Sequence, residues 1–451
     1  MIDFPADDAG RRSSASFGRH VVADALRVAD PAAADATLAV QDWRRGYLRP
    51  FCSLISAAEK STAEKGGYDI AAAGLASVRE RMPVEIAPPA QPFETVTIDG
   101  EAPRETEVVL PYRGESLRGA ALIQRLDAWV AAGVIEQSCA DAVREVVNNP
   151  DWLDLSDQRL VVLGAAAEMG PLPAVLAWGG TVVAVDLPRV WERVAAVPSA
   201  GRLIAPVLPG RDPGADLLEE LGAVAQWLEG VDGRLVLGNY VYAPGAAYAK
   251  LSVAVDALAV HLRERREDVA LAFLATPTDV FAATPGAVEL SQERYRKRSR
   301  TARLTGALSG GRLLQPNYDG DAINDSLVPQ QGPNYALAKR IQRWRAAVAR
   351  REGVVSFAVA PPTRTRSVTS NRLLAAAYAG AHLFDVEIFE PATANRLMAL
   401  LLVHQLRKPR AAAPTTAADE AVSAAHGGLW TTAYHPRTAL GLAAVRGLVS
   451  R

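Results

Sequence analysis

From about residue 156 onward, short apolar segments alternate with amphipathic helices, and this alternation constrains the fold more than any other feature of the chain. The apolar segments lack the polar–apolar alternation of a half-exposed strand, so both of their faces are expected to be buried. Helices on both faces of a parallel sheet satisfy that requirement. We therefore predict an α/β fold with a Rossmann-like, doubly wound parallel sheet. The predicted strands are 159–163, 181–186, 202–205, 234–238, 269–275 and 354–360.

The chain divides into two predicted regions. Residues 1–155 are mostly helical, contain a predicted strand at 93–100 with 107–112 as a candidate second strand, and show no catalytic motif, so we expect an N-terminal extension or cap. Residues 156–451 then form the Rossmann-like domain. Within it, about 279–332 form an insertion between the fifth strand and the next helix. This insertion is longer than ordinary loops, and we expect it to be a lid.

Composition narrows the choice of partners and of compartment. The chain has 49 Lys and Arg against 50 Asp and Glu, and this near-zero net charge argues against a general nucleic-acid-binding protein. Two cysteines cannot form a disulfide framework, and the six scattered histidines lack the spacing of a metal site. Neither a secretory signal nor an apolar segment long enough to span a membrane is visible. We therefore expect a cytoplasmic protein without metal, nucleic acid or membrane as partners.

Glycines stand at the turn after the first strand of the Rossmann-like region, in Gly164-Ala-Ala-Ala-Glu168-Met169-Gly170. Small residues let a phosphate or a ribose approach the backbone, and the following helix points free N–H groups at such a ligand. Asp186 lies 22 positions after Gly164, at the tip of the second strand, where its carboxylate would accept hydrogen bonds from ribose hydroxyls. Glu168 takes the place of the middle glycine and would repel a pyrophosphate unless its side chain turns outward or bonds to a ribose or an amide.

A tyrosine and a lysine, Tyr335 and Lys339, stand four positions apart in a predicted helix, so they share one helix face. A neighbouring ammonium group favours phenolate over phenol and lowers the pKa of a tyrosine. Tyr335 is therefore a candidate proton donor to a carbonyl, or proton acceptor from an alcohol.

Taken together, these features resemble the short-chain dehydrogenase/reductase family over about residues 160–400. The resemblance implies a Rossmann fold, a nicotinamide cofactor, and interconversion of a carbonyl and an alcohol on a small-molecule substrate. It also implies a homo-oligomer. The cofactor-binding residues that we infer are Gly164, Glu168, Met169, Gly170, Asp186, Asn239, Pro361 and Thr363. NAD(H) is favoured over NADP(H), because the carboxylate of Asp186 would repel a 2′-phosphate.

The resemblance also implies catalytic roles. Tyr335 would move the proton, and Lys339 would tune it and hold the nicotinamide ribose. The family's serine, which stabilises the substrate oxygen, has no clean match. Thr276 and Thr278 stand in its topological place, just after the fifth strand, while Ser326 is closer to the tyrosine in sequence.

Two other functions remain open at this point. A strand–turn–helix start followed by an acidic residue also suits an S-adenosylmethionine-dependent methyltransferase, in which Asp186 would bind the adenosine ribose. A non-catalytic nucleotide-binding sensor or scaffold is the other alternative, and Glu168 in the glycine turn is its best support.

Overall fold

The predicted strands form the centre of one seven-stranded sheet in this computed structural model, which describes residues 2–6, 9–61, 65–328 and 330–449. All six strands predicted after residue 156 are present within two residues of their expected bounds. The strands are β1 Glu94–Asp99, β2 Leu110–Tyr112, β3 Glu115–Leu117, β4 Gln158–Leu163, β5 Thr181–Val185, β6 Arg202–Val207, β7 Arg234–Asn239, β8 Val269–Ala275, β9 Val280–Ala282, β10 Ile323–Asp325 and β11 Val355–Val359.

Helices precede, separate and follow these strands. The α-helices are α1 Ser14–Arg27, α2 Pro31–Leu38, α3 Trp43–Gly46, α4 Leu48–Lys60, α5 Tyr68–Arg81, α6 Gly119–Ala131, α7 Gln137–Asn148, α8 Leu172–Ala177, α9 Trp191–Ala195, α10 Leu221–Glu229, α11 Ala246–Arg265, α12 Pro285–Arg296, α13 Arg300–Leu308, α14 Gly332–Arg350, α15 Arg366–Thr369, α16 Arg372–Ala379, α17 Pro391–Arg407, α18 Thr416–Ala421 and α19 Pro436–Val449. Three short 3-10 helices lie at Pro150–Leu153, Pro188–Val190 and Ala381–Phe384.

The sheet is mostly parallel and has the order β1-β6-β5-β4-β7-β8-β11. Its six strands from β4 to β11 are parallel, and only β1 runs antiparallel, beside β6. The chain moves outward from β4 through β5 to β6, then returns to the other side of β4 with β7, β8 and β11. This reversal between β4 and β7 leaves a crevice at the carboxyl ends of the strands.

Helices cover both faces of the sheet, as the continuous apolar strands predict. Alternate residues of each central strand enter opposite cores, so that Leu160 and Val162 of β4 lie in one core while Val161 and Leu163 lie in the other. Helices α6, α7, α8 and α17 contribute side chains to the first core, and α10, α11 and α14 to the second. The prediction of an α/β fold with a mostly parallel sheet is confirmed, and the arrangement is compatible with a Rossmann-like fold.

The predicted N-terminal extension is distributed around the sheet. Helices α1, α4 and α5 form a third core with the outer side of α14, where Leu337, Ile341 and Trp344 are buried. The strand predicted at 93–100 is β1, and it extends the edge of the sheet by pairing with β6. Helices α6 and α7 fill part of the core on one face of the sheet. Residues 1–155 thus contribute to the sheet and to its cores.

The predicted insertion at 279–332 folds as a two-stranded ribbon, β9 paired antiparallel with β10, with α12 and α13 between its strands. Helix α13 has no buried residue among those described and exposes Leu304 and Leu308. None of the described helices is both long and apolar enough to cross a membrane.

Candidate functional site

A cavity of about 600 Å³ opens at the carboxyl ends of the parallel strands, where the strand order reverses. Its walls come from the segments that follow four strands: 166–169 after β4, 240–245 after β7, 274–278 at the end of β8, and 360–368 after β11. The first turns of α14 close one side. This is the place at which open α/β sheets bind their ligands, because loops from neighbouring strands converge there.

Both members of the Tyr–Lys pair line this cavity, and both are half-buried in its wall. Helix α14 begins at Gly332, and Pro333 in its first turn suits a position whose N–H would have no intrahelical acceptor. Tyr335 packs against Tyr248, with their ring centroids 5.5 Å apart. Helix α14 therefore holds Tyr335 against an aromatic wall and carries Lys339 one helical turn further along.

A threonine hydroxyl completes the arrangement around the phenol. The side chain of Thr276 lies near that of Tyr335, where its hydroxyl acts to lower the pKa of the phenol. Thr276 Oγ1 also lies 2.9 Å from Thr278 Oγ1, which accepts a hydrogen bond from Gln331 Nε2. Both threonines line the cavity, and of the two it is Thr276 whose hydroxyl acts on the pKa of the phenol. Ser326 instead donates to Asn324 Oδ1 and does not line this cavity.

The ammonium group of Lys339 is held by neutral acceptors. Its Nζ donates to the carbonyl oxygen of Leu274 at 3.1 Å and to Gln342 Oε1 at 3.2 Å. Within the described part of the chain, no carboxylate forms an ion pair with this nitrogen. Burial without a paired negative charge disfavours the ammonium form, so the pKa of Lys339 is lowered.

The pKa of Tyr335 moves opposite to the direction that the sequence predicts. The charge of Lys339 does lower it, but desolvation of the phenol has the larger effect and raises the pKa above its ordinary value of 10. The prediction considered only the charge of Lys339, whereas burial of the phenol decides the direction in which its pKa moves. Tyr335 is therefore a neutral phenol at physiological pH, and this is the form that donates a proton.

The glycine turn is shaped by its contacts with the protein. Gly164 has φ +82°, and a Cβ there would lie 2.8 Å from the carbonyl oxygen of Tyr240. Asp186 Oδ2 accepts a hydrogen bond from the N–H of Ala166, and Oδ1 accepts one from the N–H of Leu187, both at 2.8 Å. The carboxylate of Asp186 thus braces the turn, and neither it nor Gly164 lines the cavity.

Glu168 links two loops across the cleft. Its Oε2 accepts a hydrogen bond from the N–H of Arg366 at 2.8 Å, and its Oε1 lies 3.5 Å from the guanidinium Nε of the same residue. The carboxylate that the sequence places in the turn is thus directed to an amide and a cation. Met169 lines the cavity beside it, whereas Gly170 does not.

The remaining predicted residues lie on the other walls. Pro361 and Thr363 line the cavity after β11, where Thr363 Oγ1 donates to the carbonyl oxygen of Pro361. Asn239 is buried at the end of β7 and does not line it. Its Oδ1 has no hydrogen-bond partner among the described residues.

Several lining residues were not predicted from the sequence. They are Arg193, Tyr240, Tyr242, Tyr248, Gln331 and Arg366. The run Tyr240-Val-Tyr242 directly after a buried strand is the one signal that points to some of them. The others reach the cavity from helices and loops whose position depends on packing.

The end of the cavity at Tyr335 has the mixture of polar groups and apolar surface that a nicotinamide ring would need. Tyr335, Lys339 and Thr276 supply polar groups there, while the aromatic wall supplies an apolar surface for a ring. The glycine turn offers few free N–H donors to a ligand, because the N–H groups of residues 164, 166, 167 and 170 are hydrogen-bonded within the protein. The guanidinium groups of Arg193 and Arg366 line the cavity near this turn and have the charge to hold phosphates.

Among the described residues, no group of three His, Cys, Asp or Glu side chains is placed to hold a metal ion. No model of a known protein family matches this chain, and no curated protein matches it either. Its function must therefore be argued from the chemistry of the cavity itself.

Proposed function

We propose that this protein is a NAD(P)(H)-dependent oxidoreductase similar to the short-chain dehydrogenases, which interconverts a carbonyl and an alcohol on a small-molecule substrate. The observation that carries the proposal is the convergence of Tyr335, Lys339 and Thr276 on one cavity. These three side chains are brought together by β8 and α14, at the crevice where a doubly wound sheet binds a nucleotide.

Each of the three residues has a distinct role in the proposed reaction. The neutral phenol of Tyr335 gives its proton to the carbonyl oxygen during reduction and takes a proton from the hydroxyl group during oxidation. Thr276 donates a hydrogen bond to the substrate oxygen and orients the phenol. Lys339 places positive charge beside the phenol, which stabilises the phenolate left after proton transfer.

A bound nicotinamide would supply or accept the hydride. Lys339 would hold its ribose, and Arg193 and Arg366, which also line the cavity, would hold its phosphates. The preference for NAD(H) over NADP(H) stays a prediction from the position of Asp186 at the tip of β5, because its carboxylate bonds backbone N–H groups and does not line the cavity.

The binding test uses isothermal titration with NADH, NADPH and S-adenosylmethionine. NADH is expected to bind, and a panel of carbonyl compounds is then expected to reveal turnover. Binding of S-adenosylmethionine alone would support a methyltransferase and overturn the proposal. Binding of NADH without turnover of any carbonyl would support the sensor or scaffold, which also overturns the proposed catalysis.

Tyr335→Phe tests the proton transfer. The variant is expected to lower kcat by roughly 10²–10⁴-fold, as loss of a general acid does, and to leave the Kd for NADH within about twofold. Tyr242→Phe is the matched control, because Tyr242 lines the same cavity and is largely exposed. Equal turnover of Tyr335→Phe and the unmodified protein would remove Tyr335 from the mechanism.

A further inference from the structure

A second, apolar cavity adjoins the cleft on the side of the C-terminal helices. We call it the apolar slot. The two cavities share Thr278, Val328, Pro362 and Tyr378 as lining residues. The rest of the slot is formed by α16, the 3-10 helix Ala381–Phe384, the loop 429–434 and α19.

The slot offers a ligand mostly apolar surface, and the hydroxyl groups of its threonines and serine are already paired within the protein. Thr432 Oγ1 donates to the carbonyl oxygen of Phe384 at 2.8 Å. Ser326 Oγ donates to Asn324 Oδ1 at 2.6 Å, and Thr278 Oγ1 bonds to Gln331 and Thr276. A polar ligand group in the slot would lose its bonds to water and gain few new ones, whereas an apolar group would gain from leaving water.

The size of the slot limits the group that it can hold. Its free volume is about 70 Å³. A water-sized group needs roughly 10–15 Å³ on this measure, so the slot has room for about five such groups. A methylene group is similar in size to a water molecule, which makes a chain or ring of about five carbons the expected occupant.

The slot lies next to the reacting position. Thr278 is part of its wall, and Thr278 Oγ1 is 2.9 Å from the hydroxyl of Thr276, which lies near Tyr335. We propose that the apolar slot binds the tail of the substrate, so that the substrate is a ketone, aldehyde or alcohol whose reacting carbon carries an apolar group of about five carbons. The identity of the reacting group rests on the proposed oxidoreductase function, whereas the slot itself does not.

A series of 2-ketones tests the slot by equilibrium binding, without catalysis. The probes are 2-butanone, 2-pentanone, 2-heptanone and 2-nonanone, titrated into the full chain. Each methylene that enters the slot is expected to tighten binding roughly fourfold, and the gain is expected to end near a five-carbon tail. Affinity that does not depend on chain length would overturn the proposal.

Two substitutions change the slot in opposite directions. Ala381→Leu fills it and is expected to weaken 2-heptanone binding at least tenfold, while Leu440→Ala enlarges it and is expected to move the preferred tail to a longer one. Ala375→Leu on α16 is the matched control, since that side chain does not line the slot. Thermal unfolding of each variant verifies the fold. If neither slot variant changes the dependence on chain length, the tail binds elsewhere and the proposal is wrong.

The same series in the Tyr335→Phe variant separates the slot from the reaction. Dependence on chain length that is equal in the variant and in the unmodified protein supports the slot, and absence of turnover of any ketone by the unmodified protein overturns the oxidoreductase. Turnover of small carbonyls that is insensitive to chain length and to both slot variants supports the oxidoreductase and overturns the slot.

Discussion

Among single side chains, buried cations are the most unusual feature of this protein, and most of them lie on α14. Arg343 is 1% exposed and is bonded to two carboxylates, those of Asp279 and Glu420. Lys339 faces the cleft with neutral partners only. Helix α14 thus holds one cation, Arg343, that is paired with carboxylates and one, Lys339, that is not. The unpaired cation lies where the proposed chemistry takes place, and perturbed pKa values concentrate at such sites.

Lys339→Met tests the desolvation of the ammonium group. Between its lowered folded-state pKa and the ordinary 10.5, the unfolded chain binds more protons than the folded chain. The lysine therefore makes the free energy of unfolding rise with pH in that window. The methionine variant lacks this rise, so its stability relative to the unmodified protein is expected to fall as the pH is raised from neutral to 10.5.

Urea unfolding across that pH range measures the difference, with Lys60→Met at an exposed position as the control. A difference between the Lys339 variant and the unmodified protein that stays constant with pH would show that Lys339 is not desolvated in the folded state.

Arg343→Met tests the buried charge cluster. Removing the guanidinium leaves the carboxylates of Asp279 and Glu420 buried without their cation, and the free energy of unfolding is expected to fall by about 3–5 kcal/mol. Arg202→Met is the control, because Arg202 pairs with Asp99 on the surface, where an ion pair contributes little to stability. Chemical denaturation measures both variants, and equal losses would contradict the role of burial.

Among helices and strands, α14 joins the outer helices to the site. Its inner side carries Tyr335 and Lys339 into the cavity, and its outer side packs against α1 and α5. The N-terminal helices therefore cover the helix that supports the proposed chemistry. Their close approach depends on a glycine in α5, Gly74, which faces the ring of Trp344.

Gly74→Ala tests this helix contact. A Cβ at position 74 would lie 2.4 Å from Cζ3 of the buried Trp344, so either the ring or α5 must move. Overpacking of this kind is expected to lower the free energy of unfolding by about 1–3 kcal/mol. Gly286→Ala in α12 is the control, since a Cβ there meets nothing within 4 Å, and it is expected to be neutral or stabilising by up to about 1 kcal/mol. Equal changes in the thermal unfolding temperature of the two variants would contradict the close packing of Gly74 against Trp344.

Across the entire chain, the cleft is held together by contacts between distant loops. Glu168 after β4 binds the amide of Arg366 after β11, although these residues are 198 positions apart. The bond spans the mouth of the cavity and limits how far the two loops can separate. A ligand that requires a wider cleft would first have to break it.

Glu168→Ala removes this bridge, and hydrogen–deuterium exchange reports the result. The bond has a charged acceptor and is worth roughly 1.5–3 kcal/mol, so the Arg366 amide is expected to exchange tenfold faster or more. Glu390→Ala is the control, because Glu390 pairs with the side chain of Arg364 in the same segment without bonding to a backbone amide. Unchanged exchange at Arg366 would show that the bridge does not hold the loops.

Local patterns in the sequence predict much of this protein. The six parallel strands are confirmed, because an apolar segment followed by an amphipathic helix reflects neighbours along the chain. The placement of Tyr335 and Lys339 on one helix face follows from helical spacing in the same way. The role of Asp186 in bracing the turn could not be predicted from local spacing, because the amide that it binds belongs to Ala166 on a different loop.

The sequence by itself determined the alternation of strands and helices and the pairing of a phenol with an amine one turn apart, because both depend on periodicity within a few residues. Only the tertiary structure decided that β1 pairs with β6, that Thr276 lies near Tyr335, and that burial raises the pKa of that tyrosine. The physical reason is that strand pairing and desolvation depend on residues that are far apart in the chain and become neighbours only in the folded protein.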